Sequence, residues 1–171
     1  MDHSHSTLRG VIIGILSDTH DRLENMIAGL DLLRAGGAEF FIHCGDVGGE
    51  RILDQLAGLR AAIVWGNNDW DRRELGRYAG ILGIQVLDNF GQLELGGKRF
   101  AVTHGDDAQI VRQVIDRQED DYLLLGHSHV RADHRIGKIR IINPGALHRA
   151  TQKSVAKLDT VTDRLEFLML R

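Results

Sequence analysis

Asp18 and His20, Asp46, Asn67 and Asp69, His104, and His127 with His129 are the side chains of this sequence whose types and spacing can do chemistry. Carboxylates, an amide oxygen and imidazoles form a mixed oxygen and nitrogen donor set, which suits borderline divalent ions. In His127-Ser128-His129 the i,i+2 spacing lets both imidazoles share one face of an extended segment. Each block has a plainer reading when taken alone. Asp18-Thr19-His20-Asp21 reads as a helix N-cap, Gly66-Asn67-Asn68-Asp69 as a turn, and Gly45-Asp46 says little. Their conjunction carries the metal reading, because every one of them follows an apolar run.

Those runs are the elements that must hold the donors. Val11–Ser17, Phe40–Cys44 and Ala62–Trp65 read as buried strands. Between and after them, Arg22–Ala35, Glu50–Leu59 and Asp71–Leu82 read as helices, an alternation that predicts βαβ units and a parallel sheet. Gln85–Leu87, Gly91–Leu95, Arg99–Thr103 and Tyr122–Leu125 follow as strands, with a helix at Ala108–Arg117 before the last. Val130–Arg135, Ile139–Ile142, Ser154–Asp159 and Arg164–Leu170 complete the set. Gly96-Gly97 signals a hairpin, and Asn143-Pro144-Gly145 a turn. The expectation is an α/β fold of two packed sheets with helices outside, its second half mostly antiparallel. Residues 8–171 then make one domain after a polar tail at 1–7. Five strands deliver donors to one rim, where open α/β sheets bind ligands. The glycines before Asp46, Asn67 and His127 are expected to supply sharp turns.

Composition narrows the function classes. The 171 residues are 43% hydrophobic and 26% charged, as in a globular domain. A net charge of −3 argues against a general nucleic-acid surface, and Arg131, Arg135, Lys138 and Arg140 read as an edge strand's charged guard. No apolar run approaches the roughly 20 residues of a membrane span, and Met1–Thr7 lacks a signal peptide's apolar core. With the single thiol, Cys44, read as a small buried hydrophobe, this points to the cytoplasm.

The blocks Asp18-x-His20, Gly45-Asp46, Gly66-Asn67-Asn68-Asp69, His104-Gly105 and Gly126-His127-Ser128-His129 resemble the signature of the calcineurin-like metallophosphoesterases. The resemblance spans about residues 11 to 150. The chain's length and its Asn-Pro-Gly turn are similar to the small YfcE-type phosphodiesterases. The resemblance implies a two-sheet sandwich flanked by helices, in four α/β/β/α layers. It implies that Asp18, His20 and His129 hold one metal, that Asn67, His104 and His127 hold another, and that Asp46 bridges them. Manganese comes first among the implied ions, ahead of iron, zinc and nickel. Two such ions about 3.5–4 Å apart clamp a phosphate and lower the pKa of a bridging water. The implied reaction is in-line attack of a metal-bridging hydroxide on the phosphorus of a small phosphoester, a phosphodiester first. Catalytic roles would fall to Asp46, Asn67, Asn68 and Asp69. The same fold also serves a non-catalytic scaffold of the Vps29 kind, with an eroded metal site, and phosphomonoesterases or protein phosphatases. The intact donor set argues against the scaffold.

Three departures from that pattern matter. Asn68 stands where many members carry a histidine thought to assist the leaving group, and an amide cannot act as that acid. Asp106 replaces a frequent histidine after His104-Gly105 and is expected to accept a ligand imidazole's hydrogen bond. Ala146 replaces the serine common after Asn-Pro-Gly. Among the other histidines, His43 reads as structural, His148 as able to approach the site, and His3 and His5 as tail residues with adventitious metal affinity. Arg72, Arg73 and His148 are the candidate substrate contacts. Oligomeric state and physiological substrate stay open.

Overall fold

The computed structural model describes residues 9–171; the tail at 1–7, with His3 and His5, lies outside the described residues. Six strands form the first sheet: β1 (Ile12–Leu16), β2 (Phe40–His43), β3 (Ala61–Ile63), β4 (Gln85–Val86), β10 (Ser154–Asp159) and β11 (Arg164–Met169). Their order is β11-β10-β1-β2-β3-β4. β1 to β4 pair in parallel, β10 returns antiparallel against β1, and β11 pairs antiparallel with β10 at the edge. The second sheet has the order β5-β6-β7-β9-β8, built from β5 (Phe90–Leu95), β6 (Lys98–Thr103), β7 (Tyr122–Leu124), β8 (Ala132–Ile136) and β9 (Ile139–Asn143).

Apolar alternation assigns the layers. Ile13 and Ile15 of β1 pack with Phe100, Val102, Tyr122 and Leu124 between the sheets. Leu16 faces the other way, onto Met26, Leu30 and Leu33 of α1 (Leu23–Ala35), with Ile52 of α2 (Glu50–Leu53) and Leu75 of α3 (Arg72–Ile81) in the same cluster. A third cluster sets Ala101, Leu123, Ile139 and Ile141 against Val114 of α4 (Ala108–Arg117). The result is the expected α/β/β/α stack. Gly96 and Gly97, at φ +57° and +73°, make the expected hairpin turn between β5 and β6.

Two expectations are corrected. The helix read over Glu50–Leu59 stops at Leu53, tightens into a 3-10 turn at Asp54–Leu56 and ends before Gly58 at φ +74°. The chain must reverse there to enter β3 at Ala61, which leaves no length for further helical turns. The centre of the second sheet is parallel, since β7 pairs in parallel with both β6 and β9. The α4 crossover carries the chain from the end of β6 back to the start of β7, as parallel pairing requires. Antiparallel pairing is confined in that sheet to its edge strands β5 and β8. On edge strand β8 and its neighbour β9, Arg135 and Arg140 are ion-paired with Asp163, and Arg140 also with Asp133. Among the described residues no helix is long and apolar enough to cross a membrane.

Candidate metal centre

The loops after β1, β2, β3, β6 and β7 bring the donors together at one end of the sandwich. Two overlapping clusters result: Asp18 with His20 and His129, and Asp18 with Asp46 and His104. Asp46 reaches toward both, its Oδ2 lying 3.4 Å from His20 Nε2 and 3.3 Å from His104 Nε2. Asp18 Oδ1 lies 3.1 Å from His129 Nε2. Asn67 and His127 face each other instead, His127 Nδ1 standing 3.2 Å from Asn67 Oδ1, with the His104 and His127 rings 5.2 Å apart.

The donor atoms are positioned through their other halves. Asp18 Oδ2 accepts from Ser17 Oγ at 2.7 Å and from the His127 amide at 3.1 Å, which leaves Oδ1 pointing inward. His104 Nδ1 donates to the Cys44 carbonyl at 2.7 Å, which presents Nε2 to the site. Asp18 Oδ1, His20 Nε2 and His104 Nε2 are buried and have no hydrogen-bond partner. Leaving such atoms unsatisfied costs about 1–3 kcal/mol each, more when charged. A divalent cation satisfies all of them, so the residues present fit one.

Backbone strain concentrates at the same place. Asp18, His20, Asp46, His127 and His129 all have positive φ, between +45° and +65°. Such conformations cost non-glycine residues on the order of 1 kcal/mol and cluster at functional sites. The expected turning role of glycine holds only at Gly45, with φ +94°. Gly66 and Gly126 are needed for close approach. A Cβ at Gly66 would collide with Asp46 Oδ1, and one at Gly126 with Ser17 Oγ.

Electrostatics within the cluster are coupled. Burial alone would depress the His104 pKa, but the Asp46 and Asp18 carboxylates outweigh it and push it up to about 9. Burial would raise Asp46, yet His104 and the two Asn68 donors hold it well below the usual carboxylate range. Burial lowers His20 in spite of both carboxylates. His43 is structural: burial, then the nearby His104, lower it to about 3, and its ring bridges Thr19 Oγ1 at 2.7 Å and the Gly45 amide at 3.2 Å. Burial likewise pushes the Cys44 thiol up.

Other expected site residues take different places. Asp18-Thr19-His20-Asp21 does not cap α1, whose N-cap is Arg22 without a side-chain hydrogen bond. Asn68 is held to Asp46 twice, through its amide at 2.9 Å and its Nδ2 at 2.8 Å. Asp69 is buried and accepts from the Gly66 and Gly48 amides, so it ties two site loops together instead of facing the cleft. Asp106 does not orient a ligand. Gly105 at φ +100° turns the chain outward, Asp106 is exposed, and the Cys44 carbonyl already takes His104 Nδ1. Arg72 is spent on structure, donating to the carbonyls of Asp69 and Gly66 and to Asn89 Oδ1, because it sits at the start of α3 directly over that loop. Arg73 is exposed. His148 does come in, its ring 5.3 Å from that of His20. Ser17, the Cys44 carbonyl and Asn143, whose Nδ2 donates to the Gly126 carbonyl at 2.7 Å, carry no sequence signal of these roles.

Comparison with known proteins agrees with this picture. Residues 11–163 match the model of the calcineurin-like phosphoesterase superfamily domain. The chain is 31% identical over 136 residues to the phosphodiesterase MJ0936 of Methanocaldococcus jannaschii, an alignment covering 78% of this chain and 82% of that protein. It superposes on an archaeal phosphodiesterase at TM-score 0.86 with 26% identity, covering 93% of this chain and 99% of the other. The YfcE phosphoesterase of E. coli, at 19% identity and TM-score 0.65 over 94% and 100% of the two chains, shares the fold. So does Vps29 of Entamoeba histolytica, at 16% identity and TM-score 0.63 over 94% and 99%.

Proposed function

The chain belongs to the calcineurin-like phosphoesterase superfamily and is a phosphoesterase, and from that premise we propose that it is a phosphodiesterase working through two divalent ions. The observation that carries this is the convergence of Asp18 Oδ1, His20 Nε2 and His104 Nε2, buried and unpartnered, around the Asp46 carboxylate. In this reading Asp18, His20 and His129 hold one ion, and His104, Asn67 and His127 the other. Asp46, close to both His20 and His104, spans them. The ions, when bound, supply Lewis acidity toward the phosphate and lower the pKa of a water. The protein's own groups do the aiming. Ser17 and the His127 amide fix Asp18, the Cys44 carbonyl fixes the His104 tautomer, and Asn68 fixes Asp46.

Specificity for diesters follows from Asn68. Its Nδ2 is committed to Asp46 and carries no transferable proton. For a matched leaving group, the loose transition state of a monoester dianion places more charge on the departing oxygen than a diester's does, so a site without a general acid favours diesters. Manganese is the ion proposed first, since a donor set of two carboxylates, one amide and four imidazoles suits several borderline metals and availability then decides. A cytoplasmic site of action suits the single, unpaired thiol of Cys44.

The test compares kcat/KM for bis(4-nitrophenyl) phosphate and 4-nitrophenyl phosphate, with metal content measured on the same sample. We expect close to two ions per chain, a diester preference, and loss of activity by orders of magnitude in Asp46→Asn. A single ion at saturation, or full activity in Asp46→Asn, overturns the bridging role. A strong monoester preference moves the reading to a phosphatase, and absence of any metal-dependent turnover moves it to a scaffold.

A further inference from the structure

A cleft of about 540 Å³ opens directly beside the candidate metal centre, between segments 128–131 and 149–152, with His129 in its wall. Its size falls within the range of small-molecule sites. Its chemistry is one-sided: Arg131 and Arg149 line it together with Thr151, and no carboxylate does. Of the seventeen arginines among the described residues, eight are paired with a carboxylate, as Arg51 is with Asp21, Arg99 with Asp120, and Arg135 and Arg140 with Asp163. Among the described residues neither Arg131 nor Arg149 has a carboxylate within 4.0 Å; one Arg131 nitrogen rests on the Met169 sulfur, which neutralises nothing. Arg149 is also tied to the centre, since its carbonyl faces His129 Nδ1 at 3.4 Å and its charge helps lower His20 and His148. Arg149 itself has left-handed backbone, at φ +50°, in the segment that lines the cleft.

We propose that this cleft is a subsite for a second phosphate of the substrate, one that is not cleaved, bound by Arg149 and Arg131 while the scissile diester lies at the ions. Two guanidiniums match the charge of a terminal phosphate dianion and the bidentate geometry of its oxygens. The remaining volume accepts the sugar or base between the two phosphates. The inference rests on the phosphodiesterase reading and narrows it to diesters that carry an additional terminal phosphate.

The test uses dithymidine joined by one phosphodiester, either plain or bearing an extra phosphate at its 5′ or 3′ end. Wild type, Arg149→Gln, Arg131→Gln and the double variant are compared in the metal-loaded protein. Charge-assisted contacts of this kind predict a preference of roughly 10–100-fold in kcat/KM for one of the phosphorylated forms. Each single variant should reduce that ratio, and the double variant should bring it close to one. A second readout is calorimetric affinity for the same molecules with an uncleavable methylphosphonate linkage, where the same ratio should appear and vanish. Equal treatment of plain and phosphorylated substrates overturns the proposal. So does a preference that survives in the double variant, because the extra phosphate would then be held by the ions themselves. If no diester is cleaved yet the calorimetric preference depends on Arg149 and Arg131, the subsite stands and the phosphodiesterase reading falls.

Discussion

Asn68 donates to Asp46 through both its backbone amide and its Nδ2, so at this position the side chain fixes the Asp46 carboxylate, which in the proposed mechanism would span the two ions. If no side chain protonates the departing oxygen, the rate should depend steeply on the leaving group's own acidity. A positioned general acid contributes roughly 10²–10⁴-fold, large enough to see when it is missing. For a series of substituted phenyl phosphodiesters we expect log(kcat/KM) to fall steeply with leaving-group pKa in wild type. The slope should be shallower in Asn68→His, with most of the gain on poor leaving groups and some loss from freeing Asp46. A shallow wild-type slope, where chemistry limits the rate, points to another acid, and His148, 5.3 Å from the His20 ring, is placed to be it.

At the scale of elements, the strands and the order of motifs are legible in the sequence because buried strands are short apolar runs and five of those runs are followed by candidate donors. The Ala108–Arg117 helix and the Gly96-Gly97 hairpin are legible to the residue. The length of α2, the parallel centre of the second sheet and the clamping roles of Asp69 and Arg72 are not. Each is decided by what lies opposite in space, and a carboxylate or guanidinium beside a site looks the same in sequence whether it faces the cleft or the loop behind it. The glycines show the difference best. Gly66 has an ordinary φ, and only the fold reveals that the Asp46 carboxylate occupies the space of its missing Cβ. Gly66→Ala should therefore displace Asp46. We expect a stability loss of about 1–3 kcal/mol from overpacking and at least a hundredfold drop in kcat at saturating metal. Gly80, in α3, is the contrast, because a methyl group there would project into open space. Gly80→Ala should gain about 0.5–1 kcal/mol by helix propensity with turnover intact. Denaturant melts and initial rates on the two variants check both, and an active, stable Gly66→Ala would mean the loop relaxes freely.

For the whole molecule, the centre is where the two sheets are joined at one end. Asp18, His20, Asp46 and Asn67 hang from the first sheet, and His104, His127 and His129 from the second. Ion binding therefore crosslinks the layers, and it should raise the stability of the entire sandwich instead of ordering one loop. For an ion at a hundred times its Kd the linkage is about 2.7 kcal/mol, which for a domain of this size corresponds to a Tm shift of roughly 5–11 °C. The shift must depend on pH, and its sign follows from His104. In the stripped protein the folded pKa of His104 is raised to about 9. Its charged pairing with Asp46 and Asp18 thus contributes stability that is fully present below the ordinary value of about 6.5 and is lost as pH rises through 9. The loaded protein needs His104 neutral, so binding expels a proton in that window and affinity climbs with pH. These are two faces of one linkage, which widens the gap between loaded and stripped protein as pH goes from 6.5 toward 9. Scanning calorimetry with manganese or with chelator at pH 6.5 and 8.5 should find the larger separation at 8.5, and Asp46→Asn should shrink it at both. A separation that is flat or narrows with pH would mean that His104 does not give up its proton to the ion, and would remove it from the ligand set.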